Sequence, residues 1–460
     1  MELDEIKNVY FLGIGGIGMS ALARYFHSQG KHVVGYDKTP TSLTDELIQE
    51  GIEVHFEDSI EIAQQKTKNK KQETLIVYTP AIPKDHAELN YCLSNGFTVK
   101  KRSEVLGLIT NNHFTIAVAG THGKTTTSSM IAHILRSSGV NCLAFLGGIS
   151  KNYDSNLLLP ADPKKETVVV VEADEYDRSF LALHPDIAVI TSMDADHLDI
   201  YGDKKFMEES YRLFARQVKE NGTLIYKKGL DIGEIKAKQK QYSLSNHCDY
   251  SASEIKIENH QYFFTWNDGK NSIRRLSSQM PGRHNVENAV AAVAVARQLG
   301  VDADNIAEAI RTYSGVKRRF DYQIKRDNLV FIDDYAHHPE ELRACISSVK
   351  ELYPGKRITG IFQPHLFTRT RDFVDGFAKS LSLLEELILL PIYPAREKPI
   401  EGVTSKIIFD KATVVNKLMC RKEDLIRELA TRKIEVLLTL GAGDIDQLVE
   451  PIKEFMISGL

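Results

Sequence analysis

Hydrophobic and polar positions along the chain follow two periods, and the order in which they alternate outlines the fold. From residue 8 to about 108, short β-branched runs (VYFLGIG, HVVGYD, TLIVYTP) alternate with helix-patterned segments (SALARYFHSQG, TDELIQEG, AELNYCLSNG). Such alternation predicts parallel βαβ units. A second series opens at HFTIAVAG and continues through CLAFLGG, TVVVVEADE and IAVITSM. Near residues 248–281 the pattern changes to alternating runs on either side of NDG, a hairpin signal. The Ala-rich helix HNVENAVAAVAVARQLG follows, stopped by Gly300, and a third series runs from about 317 through NLVFIDDYA, RITGIFQPH, EELILLPIY and EVLLTLGAG. The pattern predicts an α/β protein of three domains, residues 1–108, 109–316 and 317–460, the middle one mostly parallel with a small antiparallel part.

Composition narrows the class. The 460 residues are 42% hydrophobic and 26% charged, as expected of a multidomain globular protein. With 58 basic and 62 acidic side chains the formal charge is −4, which argues against a nucleic-acid or membrane-surface binder while leaving local anion pockets open. No apolar run reaches the ~18–20 residues that span a bilayer, and MELDEIKN lacks the basic start of a secretory signal. Membrane insertion is therefore not expected. Five widely spaced cysteines without a C-x-x-C suggest neither a zinc site nor a disulfide framework. The lysine-rich run QQKTKNKKQE reads as a solvated loop or helix end. A cytoplasmic location fits these features.

Two glycine-rich turns carry the first chemistry. In VYFLGIGGIGMSALA, Gly13, Gly15 and Gly18 fit G-x-G-x-x-G between an apolar strand and a helix, and Asp37 ends the next apolar run. That is a diphosphate-binding fingerprint, and alone it favours a nicotinamide dehydrogenase. The second turn, HFTIAVAG-THGKTTTSSMIAHIL, runs from a strand through Gly120, Thr121, His122, Gly123, Lys124, Thr125 and Thr126 into a helix. Inward backbone N–H groups, a helix N-terminus, a lysine for β/γ oxygens and a threonine for Mg²⁺ are the parts of a nucleotide-phosphate loop. Val118 stands where the first glycine of the commoner spacing would be.

Acids and amides follow at strand ends and helix starts. Glu172 is the first polar residue after four valines, where a strand-end carboxylate reaches nucleotide-bound Mg²⁺. Asp174, Glu175 and Asp177 come next, and at least two of them are expected in a solvated loop. His197 lies in SMDADHLD at the end of the next strand, an unusual ligand for so hard an ion. Asn285 and Asn288 share the face of a first helical turn with His284, either as an N-cap by Asn285 or as a base or ribose contact. Arg319 in VKRRFD and Asp334 in FIDDYAHHP are either an ion pair or the third domain's contribution to a closing cleft.

Taken together and in order, AVAGTHGKTTT, EADEYD, SMDADHLD, GRHNVENA, VKRRFD, DDYAHHP and FQPHLFTRT resemble the Mur ligase family, ATP-dependent amide-forming enzymes of peptidoglycan precursor synthesis. The resemblance covers essentially the whole chain. It implies Rossmann-like first and third domains, a UDP-sugar on the first, ATP on the P-loop domain between them, and a third domain that closes on ATP and binds the amino acid. GIGGIGMS and GTHGKTTT point within the family to the member that joins L-alanine to the carboxylate of UDP-N-acetylmuramate, with a sister ligase for a recycled murein tripeptide as the alternative. ATP is implied with Mg²⁺ or Mn²⁺, in a monomer or weak homodimer. Lys124, His197 and Arg319 are implied as catalytic, and Thr125, Glu172 and His197 as metal ligands. Gly120 through Thr126, Asn285, Asn288, Arg319 and Asp334 would bind ATP. Gly15, Gly16, Ile17, Gly18, Met19, Ser20 and Asp37 would hold the UDP-sugar, with Asp37 toward the uridine. His338, His365 and Arg369 would line the substrate and amino-acid side. Where several members carry a carbamylated lysine, the helix EESYRLFARQVKE offers tyrosine or arginine, so no such modification is expected. Leu366 stands where relatives often carry a basic residue.

Overall fold

A computed structural model of the protein describes residues 3–67, 70–194, 201, 203–245, 247–395 and 397–458. The chain forms two compact units. One comprises residues 1–251, 267–271 and 288–309, and the other residues 252–266, 272–287 and 310–460.

In the first unit, β1 (Asn8–Leu12), β2 (His32–Tyr36), β3 (Glu53–His55), β4 (Thr74–Tyr78) and β5 (Thr98–Lys101) form a sheet of order β3-β2-β1-β4-β5. Every pairing in it is parallel. Burial on both faces explains the unbroken apolar runs. Val9 and Phe11 of β1 pack with Met19, Ala23 and Phe26 of helix α1 (Ile17–Ser28), whereas Tyr10 and Leu12 pack with Leu89 and Cys92 on the other face. Strand order reverses between β1 and β4, and crevices for ligands open at such switch points. The glycine turn leaves β1 there.

The same unit holds β6 (Phe114–Ala119), β7 (Cys142–Ser150), β8 (Ser155–Leu158), β9 (Val168–Glu172), β10 (Ile187–Ile190), β11 (Thr223–Lys227) and β12 (Lys238–Ser243), ordered β12-β11-β10-β6-β9-β7-β8. Only β7 and β8 run antiparallel among them. Register sets the site, because Val118 at the end of β6 lies opposite Glu172 at the end of β9. β13 (Tyr250–Glu258), β14 (Gln261–Asn267) and β15 (Ser272–Ser278) are successive neighbours, and Gly269 turns with φ +82° in the NDG loop that the pattern marked as a hairpin.

The second unit carries β16 (Asp321–Lys325), β17 (Val330–Asp334), β18 (Ile358–Phe362), β19 (Glu386–Leu389), β20 (Asn416–Met419) and β21 (Val436–Leu440), ordered β16-β17-β21-β18-β19-β20. β16 is antiparallel to β17 and the others are parallel. The protein is thus a mixed α/β structure with three sheets. Among the described residues no helix is long and apolar enough to cross a membrane.

Candidate active site

The phosphate loop is built by one backbone conformation that few residues adopt. Gly123 caps the helix Lys124–Ser137 with φ +85°, in the left-handed region that favours glycine. A side chain there would also meet Asn288, since a Cβ would lie 2.7 Å from its Oδ1. Asn288 therefore touches the loop. Thr121 is anchored by its hydroxyl, which donates to Asp194 O at 2.8 Å, and the N–H of His122 donates to Ser192 Oγ at 2.8 Å. Tyr211, fully buried, brings its hydroxyl to 3.5 Å from Thr121 Oγ1. It comes from the helix in which no carbamylated lysine was expected. Thr125 and Thr126 are buried in the first turn of the helix Lys124–Ser137.

Lys124 is enclosed. Its Nζ donates to Gly120 O at 2.6 Å and lies 2.8 and 2.7 Å from the two Glu175 oxygens. Burial alone would lower the ammonium pKa, but the Glu175, Glu172 and Asp174 carboxylates outweigh it and hold the group above its ordinary value. Burial pushes the Glu175 carboxyl up to about 7, against the pull of Lys124.

In the acidic loop Glu175 is buried, whereas Asp174 and Asp177 keep 37% and 35% of their side chains exposed, as the expectation of at least two solvated acids had it. Asp174 pairs with Arg102 at 3.1 Å, Glu175 is buried on Lys124, and Asp177 pairs with Lys101 at 2.7 Å. Asp177 and Arg178 both adopt left-handed backbone, φ 51° and 54°, which turns the loop back toward its partners. The hydroxyl of Tyr201 donates to Glu175 O at 2.5 Å. Repeated acids in a sequence suggest solvent exposure, but here each has a cation waiting on another element.

The glycine turn meets the acids in a cleft of about 230 Å³. Gly16, Gly18 and Met19 line it from one side, and Glu172 and Asp174 from the other. The turn is held by Asp37, whose Oδ2 accepts from Gly15 N at 2.7 Å and whose Oδ1 accepts from Thr39 N at 3.2 Å. Asp37 thus shapes the turn that was expected to hold a UDP-sugar. Ser20 is buried in α1 and accepts from Asn156 at 2.8 Å, so it faces the protein interior. Asn156 also donates to Ile17 O at 2.6 Å and accepts from Arg24 at 2.6 Å, pinning α1 to β8. Sequence reasoning missed Asn156, Arg102 and Glu175 as members of this arrangement.

In the second unit, Asp334 ends β17 and accepts from Phe320 N and Ala336 N, each at 2.8 Å. Burial pushes its carboxyl up to about 6, against the pull of Arg319. Arg319 lies 3.5 Å from Glu341 and over the Tyr335 ring at 5.1 Å. The two expected residues therefore belong to one partly buried charge cluster. His338 is the N-cap of helix Pro339–Leu352, its Nδ1 accepting from Glu340 N at 3.3 Å. Arg369 approaches His365 at 3.4 Å, and His365 stacks on Tyr393. Asn285 does not cap its helix, which already starts at Arg283, and its amide donates to Pro281 O at 2.6 Å.

His197 lies outside the described residues. Among the described residues no cluster of three His, Cys, Asp or Glu side chains is arranged for a metal. The other two expected ligands, Thr125 and Glu172, present a hydroxyl and a carboxylate, hard oxygen donors of the kind Mg²⁺ takes with nucleotide phosphates.

Comparison with known proteins identifies the lineage. Three family models match in chain order: "Mur ligase family, catalytic domain" over residues 8–114, "Mur ligase middle domain" over 118–296, and "Mur ligase, glutamate ligase domain" over 318–443. The chain is 49% identical over 456 residues to the UDP-N-acetylmuramate–L-alanine ligase of Flavobacterium johnsoniae, covering 99% of each chain. It is 51% identical over 459 residues to the ligase of the same name from Parabacteroides distasonis, covering 99% of this chain and 98% of that one. Among solved structures, UDP-N-acetylmuramate-alanine ligase from Thermotoga maritima aligns with a TM-score of 0.82 at 27% identity, over 98% of this chain and all of that one. A murein peptide ligase from Psychrobacter arcticus shares the fold, with a TM-score of 0.70 at 21% identity over 98% of both chains. The chain belongs to the Mur ligase family.

Proposed function

We propose that this protein joins L-alanine to the carboxylate of UDP-N-acetylmuramate, cleaving ATP to ADP and phosphate in the course of peptidoglycan precursor synthesis in the cytoplasm. The observation that carries the reading is the shared position of Glu172. It lines the cleft with the diphosphate-type turn, and its charge bears on the phosphate-loop lysine. A nucleotide-sugar acid and an ATP phosphate can therefore meet beside one carboxylate. A dehydrogenase would leave the phosphate loop and Glu172 without a task. Full-length relatives bearing the ligase name support the same reading.

In this reading residues 1–108 take the UDP-sugar, through Gly15 to Ser20 with Asp37 behind the turn. Residues 109–316 take ATP through Gly120 to Thr126, Asn285 and Asn288. Residues 317–460 supply Arg319 and Asp334 to the nucleotide and His338, His365 and Arg369 to the amino-acid side. A carboxylate is a poor acyl electrophile, so one of its oxygens attacks the γ-phosphorus and ADP leaves, giving an acyl phosphate. The amine of L-alanine then attacks the acyl carbon, phosphate departs with the C–O bond electrons, and the amine loses a proton. Phosphoryl transfer calls mainly for positioning and neutralised charge. Lys124 supplies the cation at the transferring group, moving from Glu175 to the phosphate oxygens. Thr125, Glu172 and His197 would hold Mg²⁺, which would supply positive charge to neutralise the nucleotide phosphates.

The test is phosphate release from ATP and Mg²⁺ by the purified protein with each combination of substrates. Release that needs UDP-N-acetylmuramate and L-alanine together is expected. Release with the L-alanyl-γ-D-glutamyl-diaminopimelate tripeptide in place of L-alanine would reassign the protein to the sister activity, and reduction of a nicotinamide with no phosphate release would overturn the ligase reading.

A further inference from the structure

In the second unit, the turn VKRRFD combines strained backbone with an arginine that the ligase reading has not used. Arg318 and Phe320 both adopt left-handed backbone, φ 63° and 45°, on either side of Arg319. Residues without glycine's freedom keep such a conformation only where the surroundings enforce it, and strain of this kind collects at functional sites. Hydrogen bonds fasten the turn at both ends. The N–H of Phe320 donates to Asp334 Oδ2 at 2.8 Å, and that of Arg318 to Asp321 Oδ2 at 3.2 Å. The carbonyl of Arg318 accepts from Tyr335 N at 2.7 Å.

The Arg318 side chain adds a third fastening. Its Nη2 donates to Gly441 O at 2.8 Å, its Nη1 donates to Asp446 Oδ2 at 3.3 Å, and its Nε lies 3.4 Å from Asp333 Oδ2. The three nitrogens thus face three places: the residue after β21, the short helix Asp444–Leu448 beyond it, and the end of β17. Gly441 N in turn donates to Asp334 O at 3.1 Å, which joins the two strand ends to each other. Asp333 is fully buried and also accepts from the Thr439 hydroxyl at 2.7 Å, so the anchor for Nε is itself fixed. A planar guanidinium with donors in several directions suits this task, and an ammonium on a flexible stem does not. Arg318 therefore points its charge into the protein, while Arg319 extends from the same turn toward Glu341.

Resting on the reading that Arg319 serves the nucleotide, we propose that Arg318 is a positioning residue for the ligase reaction: its guanidinium ties the left-handed turn to the ends of β17 and β21 and so fixes where Arg319 presents its charge. Phosphoryl transfer depends on placement, and a shift of about 1 Å in a group that positions the reactants can cost on the order of 10²-fold in rate. Arg318 acts through Arg319 and touches no substrate itself.

Steady-state ligation by the full chain tests this, with ATP varied at saturating UDP-N-acetylmuramate and L-alanine, in wild type, R318M, R319M and R318M/R319M. R318M is expected to lower kcat/KM for ATP by about 10- to 100-fold. Its KM for UDP-N-acetylmuramate and its far-UV circular dichroism should stay at wild-type values. Because Arg318 acts through Arg319, adding R318M to R319M should cost less than about twofold further, a non-additivity that a merely structural role would not produce. R318K should fall between wild type and R318M. R318G suits the left-handed backbone but lacks the fork, so it should lose as much as R318M. Wild-type kcat/KM for ATP in R318M, or in R318K should R318M fail to fold, would overturn the proposal while leaving the ligase reading intact. Equal losses from R318M with and without Arg319 would overturn it too, and wild-type activity in R318G would assign the turn to its backbone alone. Wild-type activity in R319M would remove the nucleotide role of Arg319 and the proposal with it. A wild type that forms no amide from ATP, UDP-N-acetylmuramate and L-alanine would sink the ligase reading itself.

Discussion

The Lys124–Glu175 pair can be taken apart by a double-mutant cycle with a distinctive expected pattern. Both side chains are withdrawn from solvent, with exposures of 13% and 2%, and the carboxylate oxygens lie 2.7 and 2.8 Å from Nζ. Removing one member of such a pair costs about 3–5 kcal/mol, because a buried charge is left uncompensated. Replacing both members by neutral groups of similar size is often neutral or even stabilising. K124M should therefore lose about 3 kcal/mol at pH 8, where Glu175 must stay ionised or take up a proton against the solution. At pH 6 the loss should shrink, because burial has already pushed this carboxyl up to about 7 and it protonates readily. E175Q leaves the lysine its bond to Gly120 O, and K124M/E175Q should recover most of what K124M loses. Urea denaturation of the four proteins at both pH values measures the coupling. Additive losses in the double variant, or a K124M loss independent of pH, would refute this account of the pair. Ligase turnover provides the second readout: K124M should fall at least ~10²–10³-fold, as on loss of a transition-state donor.

Two further outcomes follow from buried polar networks in the same unit. Asn156 is fully buried and makes three side-chain hydrogen bonds, to Ile17 O, Ser20 Oγ and Arg24. N156A should cost about 3 kcal/mol of unfolding free energy, since it strands a buried guanidinium edge, while Ile17 O keeps the Ser20 hydroxyl as donor; a loss under about 1 kcal/mol would contradict the pinning of α1 to β8. Glu88 is fully buried and accepts from Tyr10 OH at 2.9 Å, and burial pushes its carboxyl up to about 7 from 4.5. A carboxyl raised on folding contributes stability that is complete below its unfolded value and is lost as pH climbs through about 7. Wild type should thus lose on the order of 3 kcal/mol relative to E88Q between pH 5 and 8.5, and a difference that stays flat over that range would contradict it.

Much of this architecture was legible because its strands are buried on both faces and therefore apolar. VYFL, FTIAVA, VVVVE, VFIDD and VLLTL all stand as strands, and both glycine turns stand between a strand and a helix. Several strands the pattern did not single out lack that signature. β12 is KQKQYS, β3 is only Glu53–His55, and β8 (SNLL) carries the buried Asn156. Side-chain partnerships were less legible than strands, for a different reason. Glu172 could be placed from its position after four valines, since register carries it beside the phosphate loop. The partners of Asp174, Glu175 and Asp177 lie 72, 51 and 76 residues away, and no local pattern joins them. His338 was implied on the substrate side by resemblance alone, and no local pattern signalled that its side chain also caps the helix Pro339–Leu352.

The central claim is that the muramoyl carboxylate is activated by the γ-phosphate of ATP before the amine attacks. Its most direct test is isotope transfer from UDP-N-acetylmuramate carrying ¹⁸O in that carboxylate, incubated with the protein, ATP, Mg²⁺ and L-alanine. The account predicts UDP-N-acetylmuramoyl-L-alanine together with inorganic phosphate that carries one labelled oxygen per amide formed. Product accompanied by unlabelled phosphate, or by AMP and pyrophosphate, would contradict it.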